Sequence, residues 1–216
     1  VNNDGEEKVM LTKMYENENG IAKSIADMML GAEPMDLNFD VDIRDFQKSH
    51  NITLHEGQIE AVKNCVKYGV NVITGGPGTG KTTIIKCIIY LLKKQYAKVL
   101  LCAPTGRASK RLAEATGEDA KTIHRLLDLD FTGGKGHFNY NEDTRLNADV
   151  VIVDEVSMCD EYVFYALVRA IKKGARLILV GDKDQLPSVG AGNILSDIIS
   201  CDVIPVNYLT QIYRQS

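Results

Sequence analysis

A glycine-rich segment that ends in a lysine and a threonine is the strongest chemical signal in the sequence. It runs Gly75-Gly76-Pro77-Gly78-Thr79-Gly80-Lys81-Thr82 and matches the pattern G-x-x-x-x-G-K-[S/T]. Backbone N–H groups wrap phosphate oxygens closely only where side chains are absent, so such a loop needs glycine. A lysine here reaches the β and γ phosphates, and the threonine hydroxyl binds Mg²⁺. The predicted nucleotide-binding residues are Gly76, Pro77, Gly78, Thr79, Gly80, Lys81, Thr82 and Thr83.

Two carboxylates follow an apolar run further along the chain. Val150-Val151-Ile152-Val153 is typical of a buried strand, and Asp154 and Glu155 come directly after it. Open α/β sheets bind their ligands at the carboxyl ends of the strands. With Lys81 upstream, Asp154 is predicted to hold Mg²⁺, and Glu155 to orient and deprotonate the attacking water. Together the two motifs predict a magnesium-dependent site that hydrolyses nucleoside triphosphates.

A glutamine follows a third apolar run. Gln185 lies in Gly181-Asp182-Lys183-Asp184-Gln185-Leu186-Pro187, after a predicted strand at 176–180. A glutamine at a strand end beside a phosphate site can sense the γ-phosphate or position water. Composition alone favours an ordinary polar turn. The motif indicates a phosphate site only because it follows the glycine-rich loop and the Asp154–Glu155 pair along the chain.

The elements that must position these residues alternate between strands and helices from about Thr53 onward. Strands are predicted at 70–74, 98–103, 149–153, 176–180 and 203–206, and helices at 53–68, 80–95, 106–116 and 120–127. Thr53 is the predicted cap of the first helix, with Glu56 three residues on as in a capping box. A further helix after Asp154 would bury Val163, Leu167 and Ile171 on one face. Short, nearly continuous apolar strands between helices predict an α/β fold with a parallel sheet covered on both faces.

The first 60 residues differ from the rest in charge. They carry 13 acidic and 5 basic side chains, whereas residues 61–216 carry 16 acidic and 20 basic ones. Apolar residues at helical spacing predict a helix over 21–30 that Gly31 ends, and a second short helix over 41–49. We expect residues 1–52 to be an acidic helical segment that ends a preceding domain, and residues 53–216 to form the main domain.

Composition narrows the class of protein. The longest apolar run, residues 87–92, is far shorter than the roughly 18 residues that cross a bilayer. The five cysteines form no C-x-x-C pair and mostly lie in apolar stretches, as in reduced core positions. We therefore expect a cytoplasmic protein with no membrane partner.

At this point the sequence resembles the superfamily 1 helicases, and within them the 1B, RecD-like group of exodeoxyribonuclease V alpha-subunit relatives. The resemblance covers roughly three-quarters of the chain. The stretches that carry it are Leu54-His55-Glu56-Gly57-Gln58, 75–83, Ala103-Pro104-Thr105-Gly106-Arg107-Ala108, Thr122-Ile123-His124-Arg125-Leu126-Leu127, Val153-Asp154-Glu155-Val156-Ser157-Met158, 181–193 and Leu209-Thr210-Gln211-Ile212-Tyr213-Arg214-Gln215.

The resemblance implies a RecA-like P-loop NTPase fold and an ATP-dependent helicase that moves 5′→3′ along single-stranded DNA. It implies that Gln58 reads adenine and that Gln185 couples nucleotide to DNA. It also implies that Tyr213 stacks on the base and Arg214 touches the γ-phosphate. The cofactors would be ATP and Mg²⁺.

The resemblance also implies a DNA-binding set. Its members are Pro104, Thr105, Gly106, Arg107, Thr122 and His124. From the residues alone, the five basic and three acidic side chains of 104–125 suit a surface that follows the DNA backbone, but they also suit a solvated helix face. The implied partners are single-stranded DNA and other subunits of a recombination or repair nuclease.

Residues 128–147 interrupt the alternation of strands and helices. Glycines followed by alternating aromatics over 131–140 predict a β-hairpin. In the RecD-like group such an insertion resembles a small strand-separating pin, and a structural flap is the equal alternative.

The chain departs from the helicase pattern at its end. It stops at Ser216, directly after Tyr213 and Arg214, whereas a complete motor has a second RecA-like domain with another arginine. An arginine finger contributes about 10³–10⁵ in turnover. We therefore expect this chain to be the first motor domain, to bind nucleotide weakly and to hydrolyse it poorly.

Two other functions remain open from the sequence. One is a regulatory ATP-binding subunit of an exodeoxyribonuclease V-type nuclease complex, in which a partner separates the strands. The other is a non-motor P-loop enzyme such as a nucleotide kinase, although the sequence offers no acceptor site.

Overall fold

The computed structural model describes residues 2–3, 6–7, 11–33, 35, 38–132, 134, 136–186 and 188–211. Its strands are β1 (Asn2–Asn3), β2 (Glu6–Glu7), β3 (Val70–Gly75), β4 (Val99–Ala103), β5 (Ala120–Thr122), β6 (Leu129–Asp130), β7 (His137–Phe138), β8 (Val150–Val153), β9 (Arg176–Gly181) and β10 (Val206–Leu209). Its α-helices are α1 (Thr12–Gly31), α2 (Phe39–His50), α3 (Glu56–Lys67), α4 (Lys81–Lys94), α5 (Gly106–Thr116), α6 (Ile123–Leu126), α7 (Glu161–Ala170) and α8 (Ile194–Ser200). A 3₁₀ helix spans Val156–Met158.

Six parallel strands form the central sheet, in the order β10-β3-β9-β8-β4-β5. All residues of β8 and β9 are buried, as expected of strands covered on both faces. Because the strands are parallel, their carboxyl ends share one edge of the sheet. The prediction of an α/β fold around a covered parallel sheet is confirmed.

Helices cover both faces of the sheet and form two apolar clusters. On one face, α1, α6, α7 and α8 pack around fully buried residues such as Phe164 and Leu167. On the other face, α2, α3, α4 and α5 pack around residues such as Phe46 and Ile88. The helix that follows the glycine-rich loop is thus anchored in the core along its length, with seven buried residues.

The N-terminal helices belong to these same clusters. Ile21, Ile25 and Met28 of α1 are buried on the α7 side of the sheet, and Phe46 of α2 is buried beside α4. Helix α1 begins at Thr12, well before the predicted residue 21, and α2 spans 39–50. None of the helices in the described part of the chain is both long and apolar enough to cross a membrane.

The last strand of the sheet was predicted in the wrong place. It spans Val206–Leu209, whereas the apolar pattern had suggested 203–206. Pro205 has no N–H to donate, and its carbonyl accepts the N–H of Val72 at 2.9 Å, so regular pairing starts after it. Residues 194–200, for which no helix was predicted, form α8.

Two predicted helix starts were also wrong. Residues 120–122 form strand β5 beside β4, and the helix after them covers only Ile123–Leu126. Helix α3 is capped at His55 rather than Thr53, and the side chain that returns to the cap is that of Gln58 rather than Glu56. The Oε1 atom of Gln58 accepts the N–H of His55 at 3.1 Å.

A short antiparallel hairpin interrupts the alternation between α6 and β8. Its paired residues are Leu129 with Phe138 and Asp130 with His137, so each strand is only two residues long. The ring of Phe131 near its tip is 70% exposed, whereas Phe138 is half-buried against the core.

Candidate nucleotide site

The glycine-rich loop connects the carboxyl end of β3 to α4, and its shape requires glycine at particular positions. Gly78 and Gly80 have φ angles of 79° and 87°, in the left-handed region that favours glycine. A Cβ atom on Gly75 would lie 2.6 Å from the carbonyl oxygen of Leu209. A Cβ atom on Gly80 would collide with the side-chain amide of Gln58. Neighbouring residues therefore pack so closely against the loop backbone at Gly75 and Gly80 that a side chain at either position would collide with them.

The ammonium group of Lys81 folds back over this loop. Its Nζ atom donates to the carbonyl oxygens of Gly75 at 2.5 Å and Gly76 at 3.0 Å. Lys81 is also the first residue of α4, so the helix N-terminus and the ammonium group present positive charge to the same region. Thr82 is exposed and Thr83 half-buried at that end of the helix.

Asp154 lies at the carboxyl end of β8, on the same edge of the sheet. Its N–H donates to the carbonyl of Cys102 at 2.9 Å, and its Oδ1 atom accepts the N–H of Glu155 at 3.0 Å. Burial, with the neighbouring charge of Glu155, raises the pKa of Asp154 to about 6, although Lys81 and the hydrogen bond from Glu155 oppose the rise. A carboxylate that is buried next to a second carboxylate favours the binding of a cation beside it.

Glu155 has two unusual features. It is not glycine, yet its φ angle of 54° lies in the left-handed region. Its Oε2 atom is buried and has no hydrogen-bond partner among the residues that the structure describes. Strained backbone and unpaired buried polar atoms concentrate at functional sites.

A cavity of about 640 Å³ brings the two motifs together. Asp154 and Glu155 lie in its wall with the loop and the start of α4. The remaining lining comes from the segment before and within α3. Its full lining is Ile52, Thr53, His55, Gln58, Pro77, Gly78, Thr79, Gly80, Lys81, Thr82, Thr83, Asp154 and Glu155.

Gln58 lies between this cavity and a second one of about 730 Å³. Its Nε2 atom donates to the carbonyl of Thr79 at 3.1 Å, while its Oε1 atom binds the N–H of His55. The second cavity is lined by the start of α3 and by Tyr208, Leu209, Thr210 and Gln211. The sequence analysis assigned no role to these four residues, although Leu209, Thr210 and Gln211 lie in a stretch that carries the family resemblance, because their place beside the loop depends on the pairing of β10 with β3.

Among the described residues, the predicted residues Gly76 and Gln185 do not line the cavity that contains Lys81. Gln185 is exposed, and its Oε1 atom accepts the hydroxyl of Ser157 at 3.4 Å. Ser157 belongs to the 3₁₀ helix that follows Glu155, so Gln185 contacts the segment next to Glu155. Tyr213 and Arg214 lie outside the described residues.

The predicted DNA-binding residues lie at the ends of two adjacent strands, on the same edge of the sheet. The hydroxyl of Thr105 caps α5 by accepting the N–H of Ala108 at 3.2 Å, and Thr122 caps α6 in the same way. Pro104 is half-buried, whereas Gly106 and Arg107 are exposed. His124 is half-buried, with its ring 6.0 Å from that of Phe138.

With this geometry in place, comparisons with known proteins identify the family. The family of the AAA domain matches residues 58–191, which include the loop, Asp154, Glu155 and Gln185. The chain therefore belongs to the AAA domain family.

The chain is also similar to curated relatives of the RecD-like group. It is 42% identical over 163 residues to the ATP-dependent RecD2 DNA helicase of Deinococcus radiodurans, covering 76% of the chain and 22% of that protein. It is 39% identical over 167 residues to the RecBCD enzyme subunit RecD of Mycolicibacterium smegmatis, covering 67% of the chain and 30% of that protein. The resemblance to the RecD-like group is confirmed, and the chain spans less than a third of the length of these relatives.

Solved structures agree with this AAA domain in fold. A crystal structure of Pif1 helicase from Candida albicans has a TM-score of 0.54 and 27% sequence identity, covering 76% of this chain and 41% of that one. A structure of two coordinating Pif1 helicases at forked double-stranded DNA has a TM-score of 0.50 and 22% identity, covering 76% and 45%. The latter likeness concerns the fold alone, and both confirm the predicted RecA-like architecture.

Proposed function

We propose that this AAA domain is the ATP-hydrolysing first motor domain of a RecD-like DNA helicase. The observation that carries the proposal is the single cavity in which the glycine-rich loop, Lys81, Asp154 and Glu155 meet. Phosphoryl transfer needs charge stabilisation and positioned groups more than covalent chemistry, and these residues supply both. The name of the RecD2 relative, a DNA helicase, supports DNA as the second ligand.

Each residue of the cavity has a distinct role in the proposal. The loop amides and the N-terminus of α4 bind the phosphates, and Lys81 leaves its two carbonyl partners to neutralise the β and γ oxygens. Glu155, whose buried Oε2 atom has no hydrogen-bond partner in the described part of the chain, orients the attacking water and accepts its proton. Gln58 reads adenine from the wall between the two cavities, and Tyr213 and Arg214 complete the site.

The proposed metal site consists of Thr82 and Asp154. Mg²⁺ uses one or two protein oxygens together with phosphate oxygens and water, so an exposed hydroxyl and a carboxylate in one cavity fit it. When bound, Mg²⁺ supplies Lewis-acid stabilisation of the phosphate charge. The raised pKa of Asp154 fits this role, because burial and the charge of Glu155 favour the protonated carboxyl, and a divalent cation would favour the ionised form.

The proposed DNA interface is the adjacent edge of the sheet. Pro104, Thr105, Gly106, Arg107, Thr122 and His124 contact the single strand, and Gln185 couples them to the nucleotide. Because Thr105 and Thr122 already cap helices, their contribution is to orient backbone N–H groups and the exposed Arg107 toward phosphates. The motor would move 5′→3′ and act in the cytoplasm.

A second candidate is an ATP-binding subunit of a nuclease complex. The RecBCD subunit name of the mycobacterial relative favours it. In that case ATP binding by this domain would serve an assembly whose partner subunits separate the strands.

The test is the effect of single-stranded DNA on ATP hydrolysis by the intact protein. We expect stimulation by DNA, and unwinding of duplexes with a 5′ single-stranded tail but not of those with a 3′ tail. Stimulated hydrolysis without unwinding by the protein alone would favour the subunit candidate. Hydrolysis that is indifferent to DNA would contradict both.

A further inference from the structure

Three aromatic side chains from different elements form a row beside the hairpin. The ring of Phe138 on β7 lies 6.0 Å from that of His124 on α6 and 6.0 Å from that of Tyr162 on α7. The interplanar angles are 47° and 35°. Tilted rings at such distances attract each other beyond their apolar burial. The hairpin is therefore attached through Phe138 to α6 on one side and to α7 on the other.

The hairpin needs this attachment to have a defined orientation. Its described residues form two pairs, and isolated two-stranded hairpins are marginal in water. Its base is held to the segment after α6 by backbone hydrogen bonds from Asn139 to Asp128, at 3.3 Å, and from Tyr140 to Leu127, at 3.2 Å. These bonds tie the hairpin to the DNA side of the domain, whereas the ring of Tyr162 ties it to α7.

Helix α7 is the first α-helix after the catalytic carboxylates. Glu155 adopts its left-handed conformation, the 3₁₀ helix follows, and the Oδ1 atom of Asp160 then caps α7 by accepting the N–H of Val163 at 2.9 Å. Tyr162 lies in the first turn of that helix. A change in the backbone at Glu155 must therefore shift or strain the short segment that supports the Tyr162 ring.

The loop after β9 rests on the same segment. The N–H of Glu161 donates to the carbonyl of Ala191 at 2.9 Å, and Ser157 donates to Gln185. A Cβ atom on Gly190 would lie 2.7 Å from the Cβ of Asp160, so this loop and the start of α7 are in close contact. Segment 155–162 thus supports both the Gln185 loop and the hairpin.

We propose that Phe138 and Tyr162 are positioning residues that transmit the state of the nucleotide cavity to the hairpin. The inference rests on the proposed function, since it names the contacts through which hydrolysis reaches duplex DNA. The packing favours this role over base stacking. Phe138 is half-buried against the core and has an aromatic ring on each side of it. The ammonium group of Lys13 lies 5.1 Å from the ring centre of Tyr162.

The test compares Tyr162→Ala with Tyr162→Phe in the intact protein. Two rates are measured, the unwinding of a duplex with a 5′ tail and the ATP hydrolysis stimulated by single-stranded DNA. We expect Tyr162→Ala to slow unwinding about tenfold, a typical coupling effect, while the stimulated hydrolysis stays within about twofold. Tyr162→Phe should unwind at close to the wild-type rate, because it keeps the ring that lies against Phe138. Tyr68→Ala, which removes another partly exposed tyrosine on a different face, is the matched control.

Phe138→Ala provides a second variant from the other side of the same contact. It should reproduce the split between unwinding and hydrolysis, and the melting temperature of each variant checks that it is folded. Unwinding at the wild-type rate in both alanine variants, or a parallel loss of unwinding and hydrolysis, would overturn the inference. A wild-type protein whose hydrolysis ignores DNA would instead contradict the proposed function, so the two failures are distinguishable.

Discussion

The cavity proposed to bind nucleotide and the edge proposed to bind DNA lie side by side on one sheet, yet they are built differently. The cavity is enclosed by the ends of long buried elements, with Lys81 at the start of a helix anchored by seven buried residues and Asp154 after a fully buried strand. The DNA side consists of a short helix, a strand of three residues and a hairpin whose strands have two residues each. Its charged groups, such as Arg107, are exposed.

This difference suits the ligand that each region is proposed to bind. A triphosphate presents concentrated charge to a few fixed donors, so a rigid low-dielectric cavity with one group for each task is effective. A single strand offers repeated phosphates that move past the surface, so many weak and exchangeable contacts are enough. Single substitutions should therefore have large effects in the cavity and small effects on the DNA side.

Glu155→Gln should have the largest effect. The amide keeps the shape of the side chain but cannot accept the proton of the attacking water, so turnover should fall about 10²–10⁴-fold. Nucleotide affinity should stay close to wild type, because the loop and Lys81 are unchanged. The measurements are ATP turnover and binding of a fluorescent nucleotide analogue, with the exposed Glu114→Gln as control. Normal turnover would mean that another residue is the base.

Lys81→Ala should come next. Removing one preorganised charge from the phosphate site typically reduces turnover about 10²–10³-fold. Unlike Glu155→Gln, this change should also weaken binding, because the ammonium group acts on the bound nucleotide as well as on the transition state. Titration with the same analogue checks this, and Lys93→Ala at the other end of α4 is the control. Unchanged affinity together with unchanged turnover would remove Lys81 from the site.

The contrast between the regions also explains how much the sequence could predict. The glycine-rich loop and the pair Asp154 and Glu155 were found because their chemistry depends on local residue types next to apolar runs. Strands β3, β4, β8 and β9 lie within one residue of their predicted bounds for the same reason. The local pattern was enough wherever burial on both faces made the strand apolar throughout.

The failures concern features that depend on distant residues. The second cavity exists because β10 pairs with β3, and the start of β10 is set by Pro205, which the apolar run did not reveal. The cap of α3 lies at His55 because Gln58 is held there by the loop it contacts. The contact between Gln185 and Ser157 joins two loops from separate strands, and sequence spacing contains no signal for it.

The electrostatic cost of the cavity can be measured through stability. The folded state raises the pKa of Asp154 from 3.8 to about 6, so folding favours its protonated form. Its contribution to stability is therefore complete below pH 3.8 and is lost as the pH rises through about 6. Asp154→Asn stays neutral, so its free energy of unfolding should exceed that of the wild type at about pH 8, by up to about 3 kcal/mol.

Urea denaturation of the protein without metal or nucleotide, at about pH 4 and about pH 8, checks this prediction. The gain from Asp154→Asn should nearly disappear at the lower pH, where the wild-type carboxyl group is also neutral. Asp119→Asn, at an exposed position between α5 and β5, should show no such dependence. An equal gain in the free energy of unfolding at both pH values would mean that the effect comes from packing and not from the charge of the Asp154 carboxylate.

Arg107→Ala should have the smallest effect, and it tests the DNA side of the comparison most directly. A single lost phosphate contact should weaken binding of single-stranded DNA only severalfold and reduce the slope of log affinity against log salt concentration by about 0.7. ATP affinity without DNA should not change, since Arg107 does not line the cavity. Arg44→Ala on α2, whose side chain donates a hydrogen bond to the carbonyl of Asp40, controls for the loss of a surface arginine.

A loss as large as that caused by Lys81→Ala would show that the DNA side also depends on one preorganised group, and the contrast between the regions would then be wrong. An unchanged salt slope would remove Arg107 from the interface while leaving the nucleotide cavity as described.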